Sequence, residues 1–154
     1  MVEPDSDPVL LINDVARLIR TEADRRARRY DLTRAQWIIL ARVQRTPGLS
    51  QRELAELLEV EPITVGRLVD RLEAGELVER RSDPIDRRMW RLHLRPAAGP
   101  LLAKLGVQKE ELVARALEGV AEPELAGLVA ALRQIRANMA VCRREPATAV
   151  KEAV

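Results

Sequence analysis

Thr64, Arg67 and Arg71 stand three and four residues apart, the spacing that gathers side chains on one face of a helix. Between Arg80 and Arg95 follow six arginines (80, 81, 87, 88, 91, 95) against two aspartates (83, 86), a local charge of +4. A guanidinium offers a rigid fork of donors that matches guanine O6 and N7, or a pair of phosphate oxygens. Recognition of a polyanion is therefore the chemistry these residues suit. Bond-making chemistry lacks its parts. The single histidine, His93, and the single cysteine, Cys142, make no zinc site by spacing with the scattered carboxylates, and no phosphate loop, dinucleotide fingerprint, Gly-x-Ser-x-Gly or Cys/His pair occurs. We expect no catalytic residues, no cofactor and no metal.

The elements that must hold the arginines lie between Leu49 and Leu94. In LSQRELAELLEV, Ser50 and Glu53 form a capping box and Leu49 can staple onto Leu54. This predicts a helix from Gln51 with Leu54, Leu57 and Leu58 on one face, ending at Glu59-Val60-Glu61. Pro62 is a ready-made first residue for a second helix after a turn of about three residues, the helix-turn-helix spacing. Within that helix Val65, Leu68, Val69 and Leu72 repeat at i, i+3, i+4 and i+7, so they face inward and leave Thr64, Arg67 and Arg71 outside. Leu77 to Arg81 reads as a short strand and Ser82-Asp83-Pro84-Ile85-Asp86 as a turn. Trp90, Leu92 and Leu94 then alternate with Arg91, His93 and Arg95 as in a half-buried strand, with His93 facing solvent. A positive hairpin beside a helix-turn-helix makes a wing suited to DNA.

These residues resemble the multiple-antibiotic-resistance regulator (MarR) family of winged helix-turn-helix repressors. The resemblance covers Leu32 to about Gly99 in residue pattern, and rests most on Asp86-Arg87-Arg88, then Leu92-x-Leu94, then Gly99. Two departures stand out. Where the family has a helix-capping threonine after the last leucine, this chain has Arg95-Pro96, and where it has glycine directly before the Leu-Val of the first wing strand, this chain reads Gly75-Glu76-Leu77-Val78. The recognition helix is therefore expected to end a residue early. The resemblance implies a mainly α fold with a small β-hairpin, a homodimer, double-stranded DNA as partner, and a small-molecule effector as a further one. It also implies a pocket between the dimer region and the winged region, for which Tyr30 and Trp37 are candidates.

Flanking helices agree with that layout. Asp7 can cap a helix with Pro8 at its first position, whose apolar face is Leu11, Val15, Leu18 and Ile19 up to about Arg29. Arg25 to Arg29 read as a solvated helix end that complements the helix dipole, with phosphate contact as the alternative. Thr33 and Gln36 form a second capping box, and Leu32 can staple onto Trp37, which accounts for Trp37 as a core residue. After the hairpin, Leu102, Leu105, Leu112, Ala116 and Leu117 mark a helix from Pro96 to about Gly119. Leu125, Leu128, Val129, Leu132, Ile135 and Met139 mark another from Pro123. Such stripes exceed what a small winged region needs, so an intertwined homodimer is expected. We read 1–154 as one domain, with 32–95 the winged helix-turn-helix region and 7–30 plus 96–144 the dimerisation helices. Glu145 to Val154 is aperiodic and expected to fray.

Composition sets outer bounds. At 154 residues, 47% hydrophobic and 32% charged, the chain can fold without disulfides, and one cysteine fits a reducing cytoplasm. Cys142 reads as packing filler, with redox sensing the alternative. No apolar run approaches a membrane span, and MVEPDSDP lacks the order of a secretion signal. The net charge of +2 identifies no partner by itself, while two tryptophans, one tyrosine and no phenylalanine argue against base-stacking RNA or single-strand modules. Two functions remain in view. In the first, a ligand-responsive repressor binds a palindromic operator as a dimer. Thr64 and Arg67 read base edges, Ile63 meets a thymine methyl and Arg71 shares the exposed face. Ser50, Gln51 and Arg52 hold phosphates at a helix N-terminus, Arg87 and Arg88 enter the minor groove, and Asp86 orients an arginine. The alternative is a winged-helix protein-interaction module without DNA binding. Arginines, not apolar side chains, on the exposed face favour the first.

Overall fold

Local caps decide where most of the chain's helices begin. In a computed structural model, which describes residues 7–142, α1 (Pro8–Arg28) starts with the Asp7 carboxylate accepting from the Val9 and Leu10 N–H groups. α2 (Arg34–Arg45) starts with the Thr33/Gln36 capping box and α3 (Gln51–Leu58) with the Ser50/Glu53 box. α4 (Pro62–Ala74) has no side-chain cap and relies on Pro62 at its first turn. An antiparallel hairpin of β1 (Val78–Ser82) and β2 (Trp90–Leu94) follows, with Val78 opposite Leu94 and Ser82 opposite Trp90, then α5 (Ala98–Ala116). The chain divides into two compact units, residues 1–116 and 117–154. The second contains α6 (Glu122–Cys142), whose first turn is held by the Ala121 N–H donating to Glu124 Oε2 at 3.0 Å. Among the described residues this is the mainly α architecture with a small hairpin that the sequence predicts. No described helix is long and apolar enough to cross a membrane.

The first unit is built around α2, which lies against α1, α4, α5 and β2. Its Ile39, Leu40 and Val43 meet Leu54, Val65, Val69, Leu72, Val78, Leu92, Leu102 and Leu105 in one core. Leu57, expected on the buried face of α3, is exposed. Leu54, Ala55 and Leu58 define the inward arc, and at 3.6 residues per turn Leu57 points roughly 100° away from its centre. Trp90 is also turned out, at 52% exposure, although it shares a face with the buried Leu92. The hairpin outruns the helices that cover its base, so its apolar face ends before Trp90.

β2 is paired on both edges. Besides β1, it bonds residues 48–50: the Leu92 N–H donates to Leu49 O, the Gly48 N–H donates to Leu92 O, and Ser50 bridges Arg91. Gly48 takes φ +86°, a left-handed conformation that glycine adopts without penalty. This pairing leaves His93 half-buried beside Gly48, where alternation alone predicts a solvent-facing residue.

Both departures from the family pattern are resolved by backbone. At the end of α4 the Leu77 N–H donates to Leu72 O and the Glu76 N–H to Glu73 O, a Schellman closure whose left-handed residue is Glu76 at φ +56°. Glutamate thus stands where glycine would be unstrained, Gly75 being an ordinary C-cap, and β1 begins at Val78, one residue after the expected start. Before α5, the Arg95 and Pro96 carbonyls accept from Ala98 and Gly99, replacing a threonine cap. That turn moves the helix start from the expected Pro96 to Ala98.

Arg26 is neither solvated nor free for phosphate. It is buried, donating to Glu22 and Glu111 carboxylates and to the Gln108 carbonyl, and so ties α1 to α5. Bonds from Arg25 and then Arg26 lower the Glu22 pKa to about 2. Leu11, Val15, Leu18 and Ile19 on α1 remain exposed. So, in the second unit, do Leu128, Val129, Leu132, Ile135 and Met139 on α6. The expectation about Glu145 to Val154, and the Arg143-Arg144 neighbours of Cys142, lie outside the described residues.

Candidate nucleic-acid interface

Three buried residues, Val65, Val69 and Leu72, fix the roll of α4 and thereby aim its other face outward. Ile63 is 66% exposed, and Thr64, Arg67 and Arg71 are exposed along one strip. Arg52 at the start of α3 is exposed and, among the described residues, pairs with the also exposed Glu56, a contact that solvent makes weak. Ser50 differs from expectation. Only 5% exposed, its hydroxyl accepts from the Glu53 N–H at 3.2 Å while its own N–H donates to Glu53 Oε2 at 2.7 Å, so it is consumed as the cap. Gln51 is half-buried and accepts from Arg80 Nε at 2.8 Å.

The carboxylates of α4 and the hairpin are all engaged. Arg80, reaching across from β1, pairs with Asp70 and Glu73 of α4 while also holding Gln51 of α3. Arg81 and Arg95 take Glu79. Arg91 donates to Asp83 Oδ2 at 2.6 Å, to Glu53 Oε2 at 3.1 Å and to the Gly48 carbonyl at 3.3 Å, so one guanidinium braces the wing against the α3 cap. Asp86, expected to orient an arginine side chain, accepts instead from the Arg88 main-chain N–H at 3.0 Å. The acid that orients an arginine is Asp83. Sequence reading had given Asp83 and Arg91 only turn and strand roles, and their pairing follows from the hairpin register that brings residue 83 beside the strand bearing residue 91. With these acids already bonded within the chain, Arg67, Arg71, Arg87 and Arg88 project from α4 and the wing tip without an ion-pair partner among the described residues. The surface is preset for an anion.

Three donors converge on Asp83: the Asp86 N–H, the Arg91 guanidinium and the Ile85 N–H, in that order of effect, and they lower its pKa from 3.8 to about 2. The Ser50 N–H and hydroxyl, with Arg91 behind them, likewise lower the Glu53 pKa. Because the folded state favours the carboxylate, Asp83 stabilises the fold above its ordinary pKa, and that contribution is lost as pH falls through about 2. Asp83→Asn should therefore be less stable at neutral pH and show a shallower fall in urea midpoint between pH 4 and 2 than the parent. Glu22 titrates in the same window, so the slope is reduced and not abolished. An unchanged slope would remove Asp83 as a brace.

A cleft of about 1080 Å³ lies between α1, α2 and α5. Its lining combines apolar Ile19, Trp37, Ile38, Leu102 and Leu112 with Arg20, Arg34, Arg42, Arg45 and Lys109 against a single acid, Glu110. Arg34 Nε is buried there without a hydrogen bond, 3.5 Å from Asp24 Oδ1. Trp37 lines this cleft. Tyr30 does not, and packs half-buried against the core.

Residues 30–89, which hold the helix-turn-helix and most of the wing, match the model of the MarR family. The solved structure of MarR shares 25% identity and a TM-score of 0.79, covering 93% of this chain and 97% of that one. The transcriptional regulator SlyA shares 26% identity and a TM-score of 0.77, covering 87% and 94%. In residues 30–89 this chain resembles the MarR family, and in its fold it is similar to MarR and SlyA. A MarR family regulator from Listeria monocytogenes, solved in complex with a 26-mer DNA, has the same fold at 22% identity, with a TM-score of 0.79 over 93% of this chain and 99% of that one. The wing and α4 of this chain thus lie in a fold shared with solved transcriptional regulators.

Proposed function

We propose that this chain is a cytoplasmic repressor that binds a palindromic operator as a homodimer and responds to a small ligand. The observation that carries the reading is the arginine face: Arg67, Arg71, Arg87 and Arg88 have no ion-pair partner among the described residues while each acid of α4 and the hairpin is already bonded within the chain. A protein-binding face would offer apolar side chains in their place. Thr64 and Arg67 read base edges, Arg67 through a bidentate bond to guanine, and Ile63 meets a thymine methyl. Arg71 holds the backbone from the same strip. Gln51, Arg52 and the amide groups at the start of α3 hold phosphates and set register without reading sequence. Ser50 serves them as a cap. Arg87 and Arg88 enter the minor groove, with Asp86 shaping the turn that presents them.

A second copy of the chain covers the apolar stripes of α1 and α6, each of which is too long and too exposed for a solvated helix face. A dimer seated on two half-sites occludes the duplex between and around them, and this is the basis of repression. The cleft lined by Trp37, with apolar and cationic side chains together in its lining, holds the effector. The 26-mer DNA bound by the Listeria relative supports duplex DNA as the partner. Selection of bound fragments from random duplexes tests the whole. We expect an enriched inverted repeat with half-sites about one helical turn, ~10 bp, apart, because a two-fold dimer presents two recognition helices to one side of the duplex. Enrichment of a single asymmetric site bound by one chain would overturn the dimeric reading, and no enrichment at all would overturn DNA recognition.

A further inference from the structure

Ile85 is 95% exposed, more than any other large apolar residue among those described. It sits at the tip of the wing, where a turn would ordinarily carry a polar residue. Nor is it on a loose loop. Asp83 Oδ1 accepts from the Ile85 N–H at 2.8 Å and the Asp86 N–H at 3.0 Å. The Asp83 N–H donates to Met89 O, the Met89 N–H donates to Asp86 O, and Asp86 Oδ1 accepts from the Arg88 N–H. Arg91 anchors the other oxygen of Asp83. The turn is therefore fixed at both ends before any partner arrives, and a β-branched side chain has few χ1 choices left to lose on binding. Arg87 and Arg88 lie two and three residues further on, also exposed. Both acids of the turn are hydrogen-bonded within it, Asp83 buried and Asp86 exposed.

A rigid apolar point beside two cations fits a groove with a polyanionic rim and an apolar interior. The DNA minor groove is such a groove, with phosphates along its edges and deoxyribose walls and base-step edges within. We propose that Ile85 is a minor-groove wedge that presses on a base step while Arg87 and Arg88 enter the same groove beside it, close to the phosphates. The proposal rests on the DNA-binding reading above and adds a specificity element to it. Apolar side chains inserted at the minor groove partly unstack a step and kink the duplex. The pyrimidine–purine steps TA and CA/TG yield most easily. Ile85 thus selects sequence outside the half-sites through deformability. Since it neutralises no phosphate, its contribution is independent of salt, unlike that of the arginines.

The full-length protein and its Ile85→Ser and Ile85→Val variants provide the test, with thermal melts to verify that so exposed a position leaves the fold unchanged. Fragment selection with the parent should enrich a pyrimidine–purine step in both flanks, beyond the bases read by α4. Selection with Ile85→Ser should lose that step while keeping the half-site bases. On the selected operator Ile85→Ser should bind about tenfold more weakly, the scale of one lost base-pair preference, with an unchanged slope of log affinity against log salt. End-labelled duplex should show less bending by energy transfer. Ile85→Val should remain within about threefold of the parent by the same scale. Equal affinity of the parent and Ile85→Ser, or a loss that is the same on every flank and lowers the salt slope, overturns the wedge and leaves the DNA-binding reading standing. A parent that binds no duplex overturns both.

Discussion

Deletion of residues 123–154 is expected to yield a protein that no longer forms the dimer and binds its operator about 10²–10⁴-fold more weakly, the gain that joining two binding modules ordinarily supplies. The reason lies in where the apolar surface sits. The buried core of the first unit draws on residues 27 to 105, so the deletion removes none of it and the winged region keeps its own packing. Residues on α6 such as Leu132 and Ile135 are exposed and contribute no such core, and a stripe of this length is retained in a soluble protein by having a partner surface. Sedimentation and operator titration separate loss of dimer from loss of fold. The truncated chain should sediment as a monomer or aggregate through the uncovered α1 stripe. Leu132→Asp, which keeps the helix but charges the stripe, should move in the same direction. A truncated chain that is folded, monomeric and binds the operator with parental affinity would remove the dimer from the mechanism.

What was legible in advance follows the range of the interactions concerned. Caps are local: Asp7 with Pro8, Thr33 with Gln36 and Ser50 with Glu53 lie within three residues, and each produces the helix start its pattern predicts. The inward face of α4 was readable because one helix period decides it, and so were Leu102 and Leu105 on α5, but the rest of the expected α5 stripe was not: Leu112 is only half-buried, Ala116 is exposed and Leu117 lies past the helix end, because the core they would meet stops at Leu105. The features that escaped a sequence reading are pairs between distant residues. Arg26 meets Gln108 and Glu111, Arg80 meets Gln51, and Arg91 meets Glu53, none of which any local periodicity encodes. Trp90 follows the alternation of its strand faithfully and is nevertheless exposed, since alternation says which face a side chain takes but not whether anything covers that face. Tyr30 misses the cleft for a related reason. It lies past the end of α1, while the cleft is lined from that helix by Ile19, Arg20 and Ala23, two turns or more upstream.

The bracing that was not legible also bears on how binding should fail. Arg80 and Arg91 hold the hairpin to α3 and α4, so the wing and the recognition helix reach DNA as one rigid body, and truncating a side chain on either should not displace the other. This makes two arginine substitutions comparable. If Arg67 reads a base edge as proposed, Arg67→Ala should cost about 1–3 kcal/mol per half-site and relax preference at one base pair, the loss expected for one bidentate contact. Arg88→Ala should weaken binding to most sequences alike and lower the slope of log affinity against log salt by about one per subunit, since it removes a charge near phosphates. The turn itself survives that second change, because Asp86 accepts from the main-chain N–H of residue 88, which alanine keeps. Some loss of A·T preference in the flanks accompanies Arg88→Ala, as arginines in a narrow minor groove also sense its width. Titrations of both variants against operator and scrambled duplex at several salt concentrations distinguish these outcomes. If Arg67→Ala leaves base preference intact while Arg88→Ala abolishes it at the central major-groove positions, sequence is read by the wing and not by α4.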